Sequence, residues 1–283
     1  MNIYKVLPSL TRERQIKIWH KALRSQWSAA DLNWEAPAVR LGQRHLRDKL
    51  ARILTPILMG EQSALYSVSG LIPVLGHRSE VEGQFYLTTW AVDEARHTEL
   101  FTRFYERIDS EPMSIRRFPS GYLFQSQIVS KEPAEWLSGV LISEVLAQLV
   151  MREFERLDID AVLSEIAHGI LRDEARHLGF NHIYLEDRFG DLYRDDPEGA
   201  EAYAEHLRKH LTKVLSFVPP MFDAVDSELA EIGIDRHQLF EQLSKDAMER
   251  LDKSISAGKR LAERKGGGEE GSRSAVMLSG SEA

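Results

Sequence analysis

The sequence predicts an all-α protein. Three observations lead there. Apolar residues recur at helical spacing along most of the 283 residues. Runs of alternating β-branched residues, the mark of half-buried strands, are scarce. Prolines and glycines fall at intervals that separate long segments rather than tight hairpins.

Taken in order, an N-terminal segment reaches about Leu41 and carries Trp19, Trp27 and Trp34, three of the five tryptophans. A long helix is expected from about His45 to Leu71, kinked at Pro56 and ended by Pro73 and Gly76. A second runs from about Ser79 to Ile108. The stretch 109–132, broken by Pro112, Pro119 and Gly121, has room for one short helix. A third long helix starts at Pro133, a residue suited to a first turn, and reaches about Leu157. A fourth is expected from about Ala161 to Phe189, stopped by Gly190. The chain turns helical again through about Leu215, breaks at Pro219-Pro220, and ends in a helix over about Arg236 to Glu263. Residues 265–283 are rich in Gly and Ser and read as a disordered tail, leaving one domain over 1–264.

Composition removes several function classes. There is no cysteine, which excludes disulfides, thiolate metal sites and cysteine nucleophiles, so any metal must be held by His, Asp and Glu. With 36 basic and 44 acidic residues the formal charge is −8, a balance that disfavours nucleic acid and acidic membrane surfaces as partners. The first residues contain no apolar core of signal-peptide length, and no apolar run is long enough to suggest a membrane span. A cytoplasmic location is the expectation.

The chemistry lies in a repeat. The pentapeptide DEARH occurs at Asp93–His97 and again at Asp173–His177. Each copy holds Glu-x-x-His, so Glu94 and His97, and likewise Glu174 and His177, share one helix face one turn apart. That is how one rigid element presents two donors to one metal ion. A dinuclear site also needs a carboxylate from each of two further helices. Glu61 precedes Glu94 by 33 positions and Glu144 precedes Glu174 by 30. Glu144 stands among Val140, Leu141, Ile142, Val145, Leu146, Leu149 and Val150, where an unpaired carboxylate would be costly to bury. A single Glu-x-x-His is a weak signal, and a lone acid in an apolar run is often satisfied by a neighbour. The conjunction is far more specific than either: the same pentapeptide twice, each time following an apolar helix with one Glu near its middle. Four carboxylates and two imidazoles suit iron or manganese better than zinc or copper.

These residues resemble those of the ferritin-like di-iron carboxylate proteins related to ribonucleotide reductase small subunits, and among them the hydroxylase α subunits of bacterial multicomponent monooxygenases. Asp-Glu-x-Arg-His is matched by both copies, and Gly-Glu-x-x-Ala by Gly60, Glu61 and Ala64, within a resemblance spanning about residues 45–190. The resemblance implies a helical bundle with four metal-bearing core helices plus additional helices, and a cofactor of two iron ions, Fe/Fe or Mn/Fe. It implies that Asp93 orients His177, that Asp173 orients His97, and that Arg96 and Arg176 pair with those acids. The sequence departs from those subunits in its shorter length and in Gln148, which stands where a Thr is common.

The expected function is a di-iron oxygenase or oxidase acting on dioxygen and a small organic substrate, supplied with electrons by a reductase and assembled, as relatives usually are, as a homodimer. Ile57, Ala64, Phe101, Gln148 and Arg152, each near a metal ligand, are the expected pocket residues. Two alternatives stand beside this reading. One is a radical-generating reductase small subunit, weakened by Phe101 at the usual place of the radical Tyr. The other is iron storage, weakened by the many residues outside the ligand helices.

Overall fold

A computed structural model describes residues 7–38, 41 and 43–278, with the side chains of 115 and 265–278 outside the description. Among the described residues there is no strand. The helices are α1 (Glu13–Arg24), α2 (Arg44–His77), α3 (Val81–Arg107), α4 (Pro119–Ile128), α5 (Pro133–Leu157), α6 (Ala161–Asp195), α7 (Pro197–Leu215), α8 (Pro219–Phe222), α9 (Asp226–Ile232) and α10 (Arg236–Leu278). The tail expected from 265 falls where side chains are not described and, from 279, outside the described residues.

Two antiparallel pairs form the centre. α2 packs along α3 and α5 along α6; α2 then meets α5, and α3 meets α6. Both connections are short, which forces neighbouring helices antiparallel. Between α5 and α6 the chain turns on Asp158, at φ 44°, and Asp160 caps α6 by accepting hydrogen bonds from the amides of Val162 and Leu163. Left-handed backbone is tolerated by Asp better than by most residues with a side chain. α1 lies across α3 and α6, α7 against α5 and α6, and α10 along α6. The segment after α1 is tied down by Arg107, which donates to the carbonyls of Trp34 and Ala36 and pairs with Asp160 at 2.8 Å.

Two predicted helix ends are corrected. α2 continues through Pro73 to His77, and α6 continues through Gly190 to Asp195. At Pro73 the surrounding bundle outweighs one lost backbone bond; Gln84 of α3 donates to the neighbouring Ile72 carbonyl at 3.0 Å. Gly190 serves packing instead of termination. It faces Gly258 of α10 so closely that a methyl group on Gly258 would stand 2.9 Å from the Gly190 nitrogen and 2.8 Å from the Glu186 carbonyl oxygen. α5 is, by length and composition, apolar enough to cross a bilayer, but most of its apolar surface is buried in the bundle and Glu144 sits at its middle.

Candidate metal centre

The six predicted ligands converge in the core, one carboxylate from each of α2 and α5 and a Glu-x-x-His pair from each of α3 and α6. All are buried, with Glu61 the most exposed at 5%. Their donor atoms form two overlapping groups: Glu61, Glu94, His97 and Glu174, and Glu94, Glu144, Glu174 and His177, each with donors within 4.8 Å of one another. Glu94 and Glu174 belong to both. The geometry therefore distinguishes two terminal carboxylates, Glu61 and Glu144, from two carboxylates placed to bridge.

Each imidazole turns Nδ1 inward and Nε2 outward. His97 Nδ1 lies 3.1 Å from Glu61 Oε2, and His177 Nδ1 2.9 Å from Glu144 Oε2. On the far side His97 Nε2 donates to Asp173 Oδ2 and His177 Nε2 to Asp93 Oδ2, both at 3.2 Å. The crossed pairing expected from the resemblance is thus present. Arg96 bridges Asp93 and Asp173 at 2.5 and 2.7 Å, and Arg176 bridges the same two acids at 3.0 and 2.5 Å. The result is a closed, buried quartet of two carboxylates and two guanidiniums holding both rings.

The electrostatics of the metal-free cluster are those of a site built for cations. Burial pushes Glu94 and Glu174 up, with Glu144 adding to the rise at Glu174. Burial acts to lower both imidazoles, but Glu61 and Asp173 at His97, and Glu174 and Asp93 at His177, outweigh it and hold both well above the usual histidine range. Burial would raise Asp93 too, but the hydrogen bond and charge of His177 together with the Arg176 charge outweigh this and bring it down to about 2; Asp173 is lowered likewise by His97, Arg176 and Arg96 together. Glu94 Oε2 is buried with no hydrogen-bond partner. An orphaned carboxylate oxygen is expensive, and two divalent ions would satisfy it while balancing the four carboxylates. The residues fit a dinuclear iron or manganese centre.

Three contributors escaped the sequence analysis. Trp27 Nε1 donates to Asp173 Oδ2 at 2.9 Å, and Gln26 donates to Asp93 Oδ1 at 3.1 Å while accepting from Arg96 at 3.0 Å. Trp27 also lies beneath the Arg96 guanidinium, 4.9 Å from ring centre to Cζ, in space left by Gly169, where any side chain would collide with the indole. Trp90 donates to Glu94 Oε1 at 2.8 Å and stacks on His177 with ring centres 4.5 Å apart. Its position one turn before Glu94 was a local signal that could have been read. Gln26 and Trp27 offered none.

Opposite the Asp–Arg quartet a cavity of about 260 Å³ opens onto Glu61, Glu94, Glu144 and Glu174. α2, α4 and α5 wall it, with Met221 and Phe222 of α8; α3 and α6 contribute only Glu94 and Glu174. Of the expected pocket residues, Ile57 and Ala64 line it. Phe101, Gln148 and Arg152 do not. On α5 the cavity follows Val140, Ser143, Ala147 and Val150, the i+3 side of Glu144, which leaves Gln148 at the other edge of the ligand. Phe101 is packed in the core of α3, beyond the cavity's reach, and Arg152 is exposed. Ala147 repeats the role of Ala64: a small side chain three residues after the terminal Glu keeps space open beside it.

The family model of p-aminobenzoate N-oxygenase AurF matches residues 73–249, more than half of the chain. The chain belongs to this family. It is a di-iron oxygenase or oxidase of the ferritin-like class, and the repeated motif had indicated that superfamily. Solved structures similar to this AurF-family chain include R2-like ligand-binding oxidases. A glycine-to-leucine variant with an Fe/Fe cofactor has a TM-score of 0.62 at 16% identity, covering 86% of this chain and 93% of that one. A form with a Mn/Fe cofactor gives 0.59 at 16% identity over 86% and 92%. At such identity the likeness concerns the fold. No curated protein matches the chain.

Removing one member of the quartet tests its role in this AurF-family protein. Asp93→Ala frees His177 and leaves two guanidiniums with one acid. We expect iron affinity or activity to fall about 10- to 100-fold, less than for loss of a direct ligand. Titration of the metal-free variant with ferrous iron checks this; wild-type affinity and activity would return Asp93 to a purely structural ion pair.

Proposed function

We propose that this chain oxygenates the nitrogen of a small amine, with Glu61, Glu94, His97, Glu144, Glu174 and His177 holding two iron ions or a Mn/Fe pair. The family supplies the reaction class. The observation that carries the reading is the cavity whose floor is formed by all four Glu carboxylates. A substrate there would meet the metal pair directly, surrounded by a largely apolar lining.

The bound iron pair supplies the reduction of dioxygen; the protein's part is positioning. His97 and His177 are fixed by Asp173 and Asp93, so their Nδ1 lone pairs face the ions without rotating. Glu94 and Glu174, which belong to both donor groups, would serve both ions, and the Trp90 indole fixes the Glu94 carboxylate by donating to its Oε1. The largely apolar lining gives water few partners beside the reacting nitrogen. Turnover requires electrons, which we assign to a separate reductase, and we propose that the chain acts in the cytoplasm as a homodimer.

Iron storage predicts a different stoichiometry. With six donors closing around two positions, dioxygen consumption by the protein should saturate near about two ferrous ions per chain and resume only when an electron donor is added. Oxygen uptake is measured against ferrous iron from one to many equivalents. Uptake that climbs steadily to tens of irons per chain would replace the oxygenase reading with storage.

A further inference from the structure

The cavity is closed on charge. Among the described residues no Lys, Arg or His lines it, and its only ionisable carboxylates are the four at the floor. The nearest arginines along the chain, Arg116, Arg117 and Arg152, are exposed and outside the lining. The walls are Phe118, Phe124, Val140, Val150, Met221 and Phe222. What polarity remains is neutral. The Ser143 hydroxyl, next in sequence to Glu144, is a neutral group in the lining that can donate or accept. Gln125 of α4 donates its amide nitrogen to Ser67 Oγ at 2.5 Å, and Gln62 and Ser63 add neutral polar groups to the lining. The mouth is marked by Tyr66 and Tyr122, both lining the cavity and 70% and 59% exposed.

The family description names an aminobenzoate, an amine whose far end is an ionised carboxylate. Such a group, with its nitrogen at the floor here, would exchange water for a lining that is mostly aromatic and aliphatic carbon and holds no cation to meet it. Burying an unpaired carboxylate is among the costliest contacts in a protein. We infer that the cavity of this chain selects an uncharged, apolar amine of about the size of one substituted benzene ring, and discriminates against amines that carry a carboxylate. The inference rests on the oxygenase reading and narrows its substrate. Size agrees: a cavity of about 260 Å³ lies at or below the small end of the usual range of ligand pockets.

The test uses two probes on one scaffold, p-toluidine and p-aminobenzoate, which differ only in a methyl against a carboxylate. Each is titrated calorimetrically into the ferrous protein without oxygen, and into Gly60→Leu protein, whose added side chain enters the cavity. We expect p-toluidine to bind the wild type at least about tenfold more tightly than p-aminobenzoate, and to lose that binding in Gly60→Leu. Equal or reversed affinities overturn the inference. So does p-toluidine binding that survives Gly60→Leu, since it then lies outside the cavity. So does the absence of binding by either probe. If the protein still loads its iron and consumes oxygen to a fixed limit, only the substrate class has failed; if it loads no iron, the oxygenase reading itself has.

Discussion

Glu174→Ala protein, loaded anaerobically with ferrous iron, will retain almost no metal, whereas Glu144→Ala protein will retain about one ion per chain. The difference comes from the overlap of the two donor groups. Glu174 lends a carboxylate to both, so its removal cuts each position from four donors to three and leaves Glu94 as the one carboxylate they share. Glu144 belongs only to the group around His177, and Glu61, Glu94, His97 and Glu174 survive its loss. Elemental analysis after removal of free iron reads both. The fold should persist in each variant, because each loss relieves repulsion among four buried carboxylates. Equal stoichiometry in the two proteins would show that Glu174 does not bridge.

The ligands could be found in sequence because each obeys a local rule. Glu94 with His97, and Glu174 with His177, are one turn apart on a helix; Glu144 is conspicuous because charge is scarce around it. The four core helices were visible for the same reason, their apolar periodicity being strong and long. What stayed hidden depends on contacts between distant parts of the chain. Trp27 reaches Asp173 across 146 positions and Gln26 reaches Asp93 across 67. No spacing encodes such a meeting. The pocket was half legible: Ile57 and Ala64 were found by proximity to Glu61, but proximity does not say on which side of a ligand empty space lies, and Gln148 was placed on the filled side. Nor does it say which element roofs the site. α4, expected only as a short helix, supplies Tyr122, Phe124 and Gln125. Pro73 and Gly190 misled because a local breaker signal was opposed by packing along the whole helix.

Gly60→Leu will separate metal binding from turnover. Gly60 precedes the ligand Glu61 and lines the cavity, and a side chain carbon built there meets no atom within 4 Å. The substitution therefore forces no clash with the bundle, and leucine is the better helix former, so the folded protein should be at least as stable as the wild type. The whole isobutyl group must project into space that otherwise holds substrate. Iron loading should stay at about two ions per chain. Amine oxidation should fall at least about 100-fold, because a substrate held even an ångström out of place loses about that much. Two assays on one preparation decide the outcome: iron content, and product formed with an electron donor present. Product formed at the wild-type rate would mean that the reacting amine approaches the four carboxylates by another route. A loss of iron as well as activity would mean that Gly60 supports the helix around Glu61. Loss of product with full iron is the result expected of a residue that leaves room for substrate above the metal pair.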